Sequence, residues 1–227
     1  ILLKDMYNNG ITKIVSAGYS LEGSKRNIEL AKKYNFIYTT AGISPNDLSD
    51  NFEKDIQEIE QLLVANLQSG KILAIGEIGL DYHYDTDKKI QYEAFRKQID
   101  IANKYNLPIV IHTRDAVMDT ITLLKENKVK EKGIFHCCPL NRELVKEALK
   151  LDFYISMAGP ITFKNSKNAN EIIEMVPLDK ILIETDSPYL APEPVRGTIN
   201  NSNNLKYIAS KIASVKGLTI QEVAKAT

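Results

Sequence analysis

Four residues with metal-binding side chains stand at similar places in the sequence, each near the end of a short apolar run. They are two carboxylates and two imidazoles: Glu77, His112, His136 and Asp186. Mixed nitrogen and oxygen donors suit Zn²⁺, Mn²⁺ and other borderline or hard divalent ions. A carboxylate can also bridge two metal ions ~3.5–4 Å apart, an arrangement that activates water and stabilises charge on a phosphoryl group. The residue types predict a metal-dependent hydrolytic site if the fold brings them together.

Each of these residues alone is a weak signal. A lone histidine at a strand end is more often a structural residue than a ligand, and an aspartate before Ser-Pro is as often a turn or cap residue. Two of the three histidines in the chain nevertheless close apolar runs. The third, His83, is expected to be an exposed loop residue.

Strands and helices that could position these residues alternate along the whole chain. Residues 72–75 are nearly all apolar, which favours a parallel strand buried on both faces, and Gly76 and Gly79 are expected to break it. The predicted strands cover residues 12–18, 36–42, 72–75, 108–112, 133–136, 153–157 and 180–186. The predicted helices cover residues 1–9, 21–34, 52–68, 87–105, 116–127, 142–150, 168–176, 203–215 and 220 onward, the last with Thr219 and Glu222 as a capping pair.

Seven strand–helix units follow a first helix that has no strand before it. Eight such units would close a TIM-type (β/α) barrel, so we predict an α/β barrel whose first strand is missing from the front of the sequence. An open sheet of seven strands would leave two unpaired edges. A doubly wound open sheet tolerates seven strands and is the alternative. No linker or change of composition marks a boundary, which favours one domain over residues 1–227.

Composition narrows the class of protein. The 227 residues are 44% hydrophobic, and 29 basic residues balance 29 acidic ones, so no global positive field indicates a basic nucleic-acid-binding module. A nucleic-acid enzyme with a local metal site remains compatible with this balance. The only cysteines, Cys137 and Cys138, are adjacent, which argues against a disulfide framework and favours a reducing cytosol. No apolar stretch approaches a membrane span of ~18–20 residues and no signal peptide is visible, so we expect a soluble cytoplasmic protein.

Four segments resemble, in order and spacing, the signatures of the TatD-type metal-dependent deoxyribonucleases. They are residues 76–82 (GEIGLDY), 111–116 (IHTRDA), 135–137 (FHC) and 184–192 (ETDSPYLAP). Arg196-Gly197 and residues 216–218 (KGL) are also similar to that family. The resemblance implies an amidohydrolase-like α/β barrel that hydrolyses phosphodiester bonds with a divalent metal-activated water, often as an exonuclease on DNA.

The same resemblance implies a role for individual residues. Glu77 would bridge two ions of Mg²⁺, Mn²⁺ or Zn²⁺, with His112 and His136 on one of them. Asp186 would bind near the other ion and accept a proton from the attacking water, so Glu77 and Asp186 are the expected catalytic residues. The DNA substrate, expected to be single-stranded ends, would meet Arg114, whose planar charged group suits a phosphate. Two further substrate contacts are expected, at Arg196 and Ser44.

The sequence also departs from the family pattern. The family begins with a strand carrying a His-x-His pair, which would precede Ile1. Ser44 stands where the family commonly has a histidine, so a positive contact becomes a hydroxyl that can still donate a hydrogen bond. Pro139 stiffens a loop that the family keeps small and flexible. Two other functions therefore stay open: an amidohydrolase-like enzyme acting on a small ester or amide, and a barrel with impaired catalysis. The sequence gives no oligomeric state.

Overall fold

The computed structural model of the protein describes residues 2–227, and the first residue of the predicted helix 1–9 lies outside this part. The strands in it are β1 (Ile14–Ser16), β2 (Ile37–Ala41), β3 (Ile72–Asp81), β4 (Ile109–Arg114), β5 (Gly133–Phe135), β6 (Tyr154–Met157) and β7 (Ile181–Ile183). The α-helices are α1 (Leu2–Asn8), α2 (Leu21–Lys33), α3 (Phe52–Asn66), α4 (Lys88–Tyr105), α5 (Val117–Glu126), α6 (Arg142–Lys150), α7 (Ala169–Met175), α8 (Leu205–Lys216) and α9 (Ile220–Ala226). Short 3₁₀ helices lie at Leu67–Ser69, Gly159–Thr162, Leu178–Lys180 and Ser202–Asn204.

The order of the strands identifies the fold. Within residues 2–227 they form a seven-stranded sheet in which neighbours follow the chain from β1 to β7. The pairs β1–β2, β2–β3, β3–β4 and β6–β7 are parallel. A doubly wound sheet would reverse its strand order at a switch point, and this sheet does not. The predicted α/β fold of the TIM-type (β/α) barrel is confirmed, and the doubly wound alternative is wrong.

Local capping chemistry sets several helix ends where the sequence predicted them. The Ser20 hydroxyl accepts the N–H of Gly23 at the start of α2, and the Asp87 carboxylate caps α4. At α9, Thr219 and Glu222 form the predicted capping box. Each cap satisfies N–H groups that the first turn of a helix leaves without a partner.

The chain divides into two compact units. One runs from Thr12 to Ile134, contains β1–β4, and buries apolar side chains of α2, α3 and α4 against the sheet. The other comprises Phe135–Thr227 with the segment ending at Ile11, and its core includes the edge-to-face pair Phe135 and Phe153, whose ring centres lie 5.6 Å apart. The expectation of one domain over residues 1–227 stays a prediction. No helix in residues 2–227 has both the length and the apolar character needed to cross a membrane.

The glycines of β3 do not act as the sequence predicted. The strand continues through Gly76 and Gly79 to Asp81, so the prediction that these residues break it is wrong. A Cβ on Gly79 would lie 1.9 Å from the carbonyl oxygen of His112, and one on Gly76 would lie 2.5 Å from the Cβ of Val110. The two glycines therefore permit a close approach of β3 to β4 that any side chain would prevent.

Candidate metal centre

Glu77 lies inside β3 rather than at its end, at a point where the strand carries an extra residue. Ile75 pairs with Ile109 and Ile78 pairs with Ile111, so three steps along β3 match two steps along β4. A β-bulge of this kind bends the strand and redirects a side chain. Ile75 and Ile78 both remain fully buried, while the Glu77 side chain keeps 17% of its surface exposed. The bulge thus places a carboxylate beside the core without opening the core.

His112 lies in β4, two residues before the strand ends at Arg114. Its Nδ1 atom is 3.0 Å from Oε1 of Glu77, and its Nε2 atom is 2.9 Å from Oδ2 of Asp81. Metal-binding histidines commonly donate their second ring N–H to a carboxylate, which fixes the tautomer and orientation of the ring. This arrangement lets Nε2–H donate to Asp81 and leaves Nδ1 to face a cation beside Glu77.

Asp81 is almost completely buried, with 1% of its side chain exposed. Its carboxylate accepts hydrogen bonds from the Asn46 amide and from the backbone N–H of His83, both at 2.9 Å, as well as from His112. The Gln91 side chain binds both the N–H and the C=O of Asp81 at 2.8 Å. Burial by itself raises the pKa of Asp81, but the three hydrogen bonds outweigh it and hold the pKa below its ordinary value. The carboxylate is therefore ionised and fixed in place.

His136 follows directly after β5, and its partner Glu184 follows directly after β7. The Nδ1 atom of His136 lies 2.8 Å from Oε2 of Glu184, whose carboxylate also accepts the backbone N–H of Cys137. The N–H of Glu184 donates to the carbonyl of Met157 at 3.1 Å, which continues the β6–β7 pairing. Burial raises the pKa of Glu184, but the charge and hydrogen bond of His136 and the donors Cys137 and Ser156 lower it overall. With Nδ1 held by Glu184, Nε2 is the nitrogen that His136 offers to a cation.

Glu77, His112 and His136 each offer one ligand atom, and these atoms all lie within 4.8 Å of one another. Within residues 2–227 this is the one such cluster of three or more acidic, histidine or cysteine groups. Two imidazole nitrogens and a carboxylate oxygen suit a borderline or hard divalent cation. The residues therefore fit the metal ion that the sequence predicts.

Asp186 lies in a turn and not in the predicted last strand. The strand ends at Ile183, and Asp186 has a left-handed backbone with φ of 56°. Its carbonyl oxygen accepts the N–H of Tyr189 at 3.0 Å. Asp186 is not a member of the three-residue cluster, so its predicted roles as ligand and proton acceptor stay predictions.

The two arginines expected to meet substrate both lie against aromatic rings. The guanidinium carbon of Arg114 is 5.7 Å from the ring centre of Tyr84, and that of Arg196 is 3.7 Å from the ring centre of Phe163. Both arginines are exposed to solvent. Cation–π contacts of this kind restrict where a guanidinium can point without removing its charge.

Two other polar residues are held by neighbouring carboxylates. The Ser44 side chain is buried, and its hydroxyl donates to Asp47 at 2.7 Å. His83 lies in the loop after β3, as predicted, with 46% of its side chain exposed and its Nδ1 atom 3.3 Å from Asp115. The substrate role of Ser44 stays a prediction.

Sequence reasoning missed the two carboxylates that orient the imidazoles. Asp81 and Glu184 both lie inside the quoted motifs, four residues after Glu77 and two residues before Asp186. Their position inside those motifs could have indicated that they belong to the site. Nothing in the sequence, however, says which carboxylate reaches a ring nitrogen and which faces a cation, because that depends on the bulge in β3 and on strand pairing.

Comparison with known proteins finds relatives named as metal-dependent hydrolases. The family model described as TatD related DNase matches residues 1–227. A protein of Bacillus subtilis strain 168, named "Uncharacterized metal-dependent hydrolase YabD", is 42% identical over 219 residues, covering 96% of this chain and 84% of its own length. A protein of Escherichia coli K12 with the corresponding name YcfH is 38% identical over 193 residues, covering 84% of this chain and 71% of its own length.

A solved structure supports the fold. The crystal structure of YJJV, a TatD homologue from Escherichia coli K12, matches with a TM-score of 0.93 and 24% sequence identity. The match covers 99% of this chain and 86% of that chain. At this level of identity the likeness concerns the fold, and it agrees with the strand order described above.

Proposed function

The chain belongs to the family of TatD-related DNases and is a metal-dependent hydrolase, and from this premise we propose that it is a deoxyribonuclease that hydrolyses phosphodiester bonds at single-stranded DNA ends. The observation that carries this proposal is the pair of oriented imidazoles beside Glu77. Each ring has an orienting carboxylate outside the cluster, with Asp81 2.9 Å from Nε2 of His112 and Glu184 2.8 Å from Nδ1 of His136. Such pairing prepares the opposite nitrogen to bind a metal ion.

Three residues would hold a divalent cation: Glu77, His112 and His136. We infer that the ions would be Mg²⁺, Mn²⁺ or Zn²⁺, and that Glu77 and Asp186 are the residues that would hold a second one. When bound, such cations polarise phosphoryl oxygens and lower the pKa of water toward neutrality.

The remaining chemistry belongs to side chains of the chain. The carboxylates of Asp81 and Glu184 keep the imidazole protons on the nitrogens that face them, so neither ring rotates away from its ligating position. The carboxylate of Asp186 accepts a proton from the attacking water. Because residues two apart in a strand point to the same face, Arg114 lies on the face of His112, about 6.5 Å further along β4. Its charged fork is suited to bind a phosphate of the substrate.

The test is release of nucleotides from a labelled single-stranded oligodeoxynucleotide by the purified chain. We expect release that stops with excess chelator and returns when Mg²⁺, Mn²⁺ or Zn²⁺ is restored. Glu77→Gln should abolish it, because the amide lacks the negative charge that binds a cation. Glu60→Gln is the matched control: Glu60 is a partly buried carboxylate held by Lys104 at 2.7 Å, and its loss should leave the rate unchanged.

Two outcomes contradict the proposal. Hydrolysis of a panel of small esters and amides without any nucleotide release would assign the chain to an amidohydrolase-like enzyme with another substrate. Binding of fewer than one divalent ion per chain together with inactivity on all substrates would indicate impaired catalysis. Action in the cytoplasm stays a prediction that localisation of the tagged protein would test.

A further inference from the structure

An exposed tyrosine lies in the loop that follows β3. Tyr84 keeps 54% of its surface accessible. The ring of His83 meets it edge-on, with ring centres 5.0 Å apart and planes at 86°, and the Arg114 guanidinium carbon lies 5.7 Å from its ring centre. Single exposed aromatic residues are common on proteins. This one differs in that a histidine and an arginine orient it while much of the ring stays accessible.

The loop that carries Tyr84 is tied to the candidate metal centre. The backbone N–H of Tyr82 donates to the carbonyl of Arg114 at 2.8 Å, which extends the β3–β4 pairing. The next N–H, of His83, donates to Oδ1 of Asp81 at 2.9 Å. Asp81 is the carboxylate that orients the imidazole of β4. The backbone next to Tyr84 is thereby linked to that imidazole through two hydrogen bonds, from His83 to Asp81 and from His112 to Asp81.

The combination of groups matches the repeating unit of a nucleic acid. A nucleotide joins a flat aromatic base to an anionic phosphate through a single sugar. An exposed aromatic ring beside a guanidinium offers a stacking surface for the base and a charged fork for the phosphate. Stacking of this kind tolerates any base, because every base has a π face.

We propose that Tyr84 is a stacking platform for a nucleobase of single-stranded nucleic acid whose phosphate reaches Arg114. This inference rests on the proposed function, since it names how the same site holds its substrate. Arg114 serves both groups: its contact with the ring holds Tyr84, and its outward N–H groups meet the backbone.

The experiment measures binding directly, so that it does not depend on cleavage. The metal-loaded protein is titrated into a fluorescein-labelled phosphorothioate oligothymidine, and Kd is obtained from fluorescence anisotropy. Tyr84→Ala should raise Kd about 5- to 150-fold, the range expected for loss of one base–aromatic stack. Tyr84→Phe should keep Kd within about twofold of the wild type, because the π face is retained.

A second tyrosine provides the matched control. Tyr154 begins β6, is 38% exposed, and has the Lys180 ammonium 4.6 Å from its ring centre. It therefore shares with Tyr84 both exposure and a cationic neighbour. Tyr154→Ala should leave Kd unchanged. Removal of one terminal base from the oligothymidine should weaken its binding to the wild type. The same removal should not change its binding to Tyr84→Ala, because the contact between base and ring is already lost in that variant.

The outcomes separate this inference from the proposed function. If the wild type cleaves DNA but Tyr84→Ala binds the oligothymidine as the wild type does, the stacking platform is wrong and the nuclease proposal stands. If the wild type binds in a Tyr84-dependent way but no metal ion restores cleavage, the platform stands and the nuclease proposal fails. A loss of affinity in Tyr84→Phe equal to that in Tyr84→Ala would also overturn the platform, since it would trace binding to the hydroxyl.

Discussion

The two imidazoles of the candidate metal centre are oriented in different ways. His112 is held by Asp81, which belongs to the neighbouring strand β3, is 1% exposed and accepts two further hydrogen bonds. His136 is held by Glu184, which lies just beyond the end of β7, is 21% exposed and also accepts the N–H of Cys137. In both pairs a carboxylate holds one ring nitrogen, which is Nε2 in His112 and Nδ1 in His136. The first is built into the sheet, and the second lies in the connections that leave it.

From this difference we expect that the orientation of an imidazole and the folding stability of the protein can be changed separately. Asp81 is part of a buried polar network, where removal of one member leaves the others without partners. Glu184 retains contact with solvent, so water can replace part of what it provides. Both carboxylates should matter for metal affinity, whereas only Asp81 should matter strongly for folding.

The largest expected effect comes from removal of the rings themselves. His112→Ala and His136→Ala should each lower the affinity for Zn²⁺ by more than about 100-fold, because each loses a ligand, whereas loss of an orienting group costs about 10–100-fold. Competition with a chromophoric chelator measures the affinity. His83→Ala, which removes the third histidine, is the control and should bind Zn²⁺ as the wild type does. If loss of one of these histidines left the Zn²⁺ affinity unchanged, that histidine would have a structural role. Only the other histidine would then be a metal ligand.

A smaller effect separates the two orienting carboxylates. Asp81→Ala and Glu184→Ala should each lower Zn²⁺ affinity about 10–100-fold. Asp81→Ala should in addition lower the free energy of unfolding of the metal-free protein by about 1–3 kcal/mol, because it leaves the N–H of His83 and the amide of Asn46 unpaired. Urea unfolding in excess chelator measures this second quantity. Should Glu184→Ala destabilise the metal-free protein more than Asp81→Ala, the contrast between the two sites would be reversed.

Local chemistry in the sequence predicts much of this molecule. Residues 142–150 are a helix both by prediction and in the structure, and the capping box at Thr219 is present as expected. Such features depend on residues within a few positions of each other. The strand–helix alternation follows from hydrophobic patterns that also extend over only a few residues. The fold class can therefore be predicted from the sequence alone.

Contacts between segments that are distant in the sequence are harder to predict. The His112–Asp81 pair joins residues 31 apart, and the His136–Glu184 pair joins residues 48 apart. Gly79 is a breaker by local rules, yet β3 continues through it, and the backbone of His112 occupies the space that a side chain at this position would need. The sequence alone does not show that His112 becomes the neighbour of Gly79. The residue types at the site could be predicted, but their division into ligands and orienting groups could not.

The smallest expected effect on metal affinity tests how far the support of Asp81 extends. Helix α4 contains two buried glutamines seven residues apart, Gln91 and Gln98, each 1% exposed. Gln91 binds the backbone N–H and C=O of Asp81, and Gln98 does the same for Ile43 at 2.8 and 3.0 Å. The two side chains perform the same structural task at different places, so each is a matched control for the other.

Gln91→Leu and Gln98→Leu should both lower the free energy of unfolding by about 1–3 kcal/mol, because each leaves a buried backbone N–H and C=O without partners. Only Gln91→Leu should also lower Zn²⁺ affinity, and by less than about tenfold, since Asp81 keeps its side-chain contacts with Asn46 and the ring of His112. Unfolding in urea and chelator competition give both quantities for each variant. Equal losses of affinity would attribute the effect to general destabilisation, whereas a loss confined to Gln91→Leu would show that α4 helps to hold the carboxylate that orients the ring.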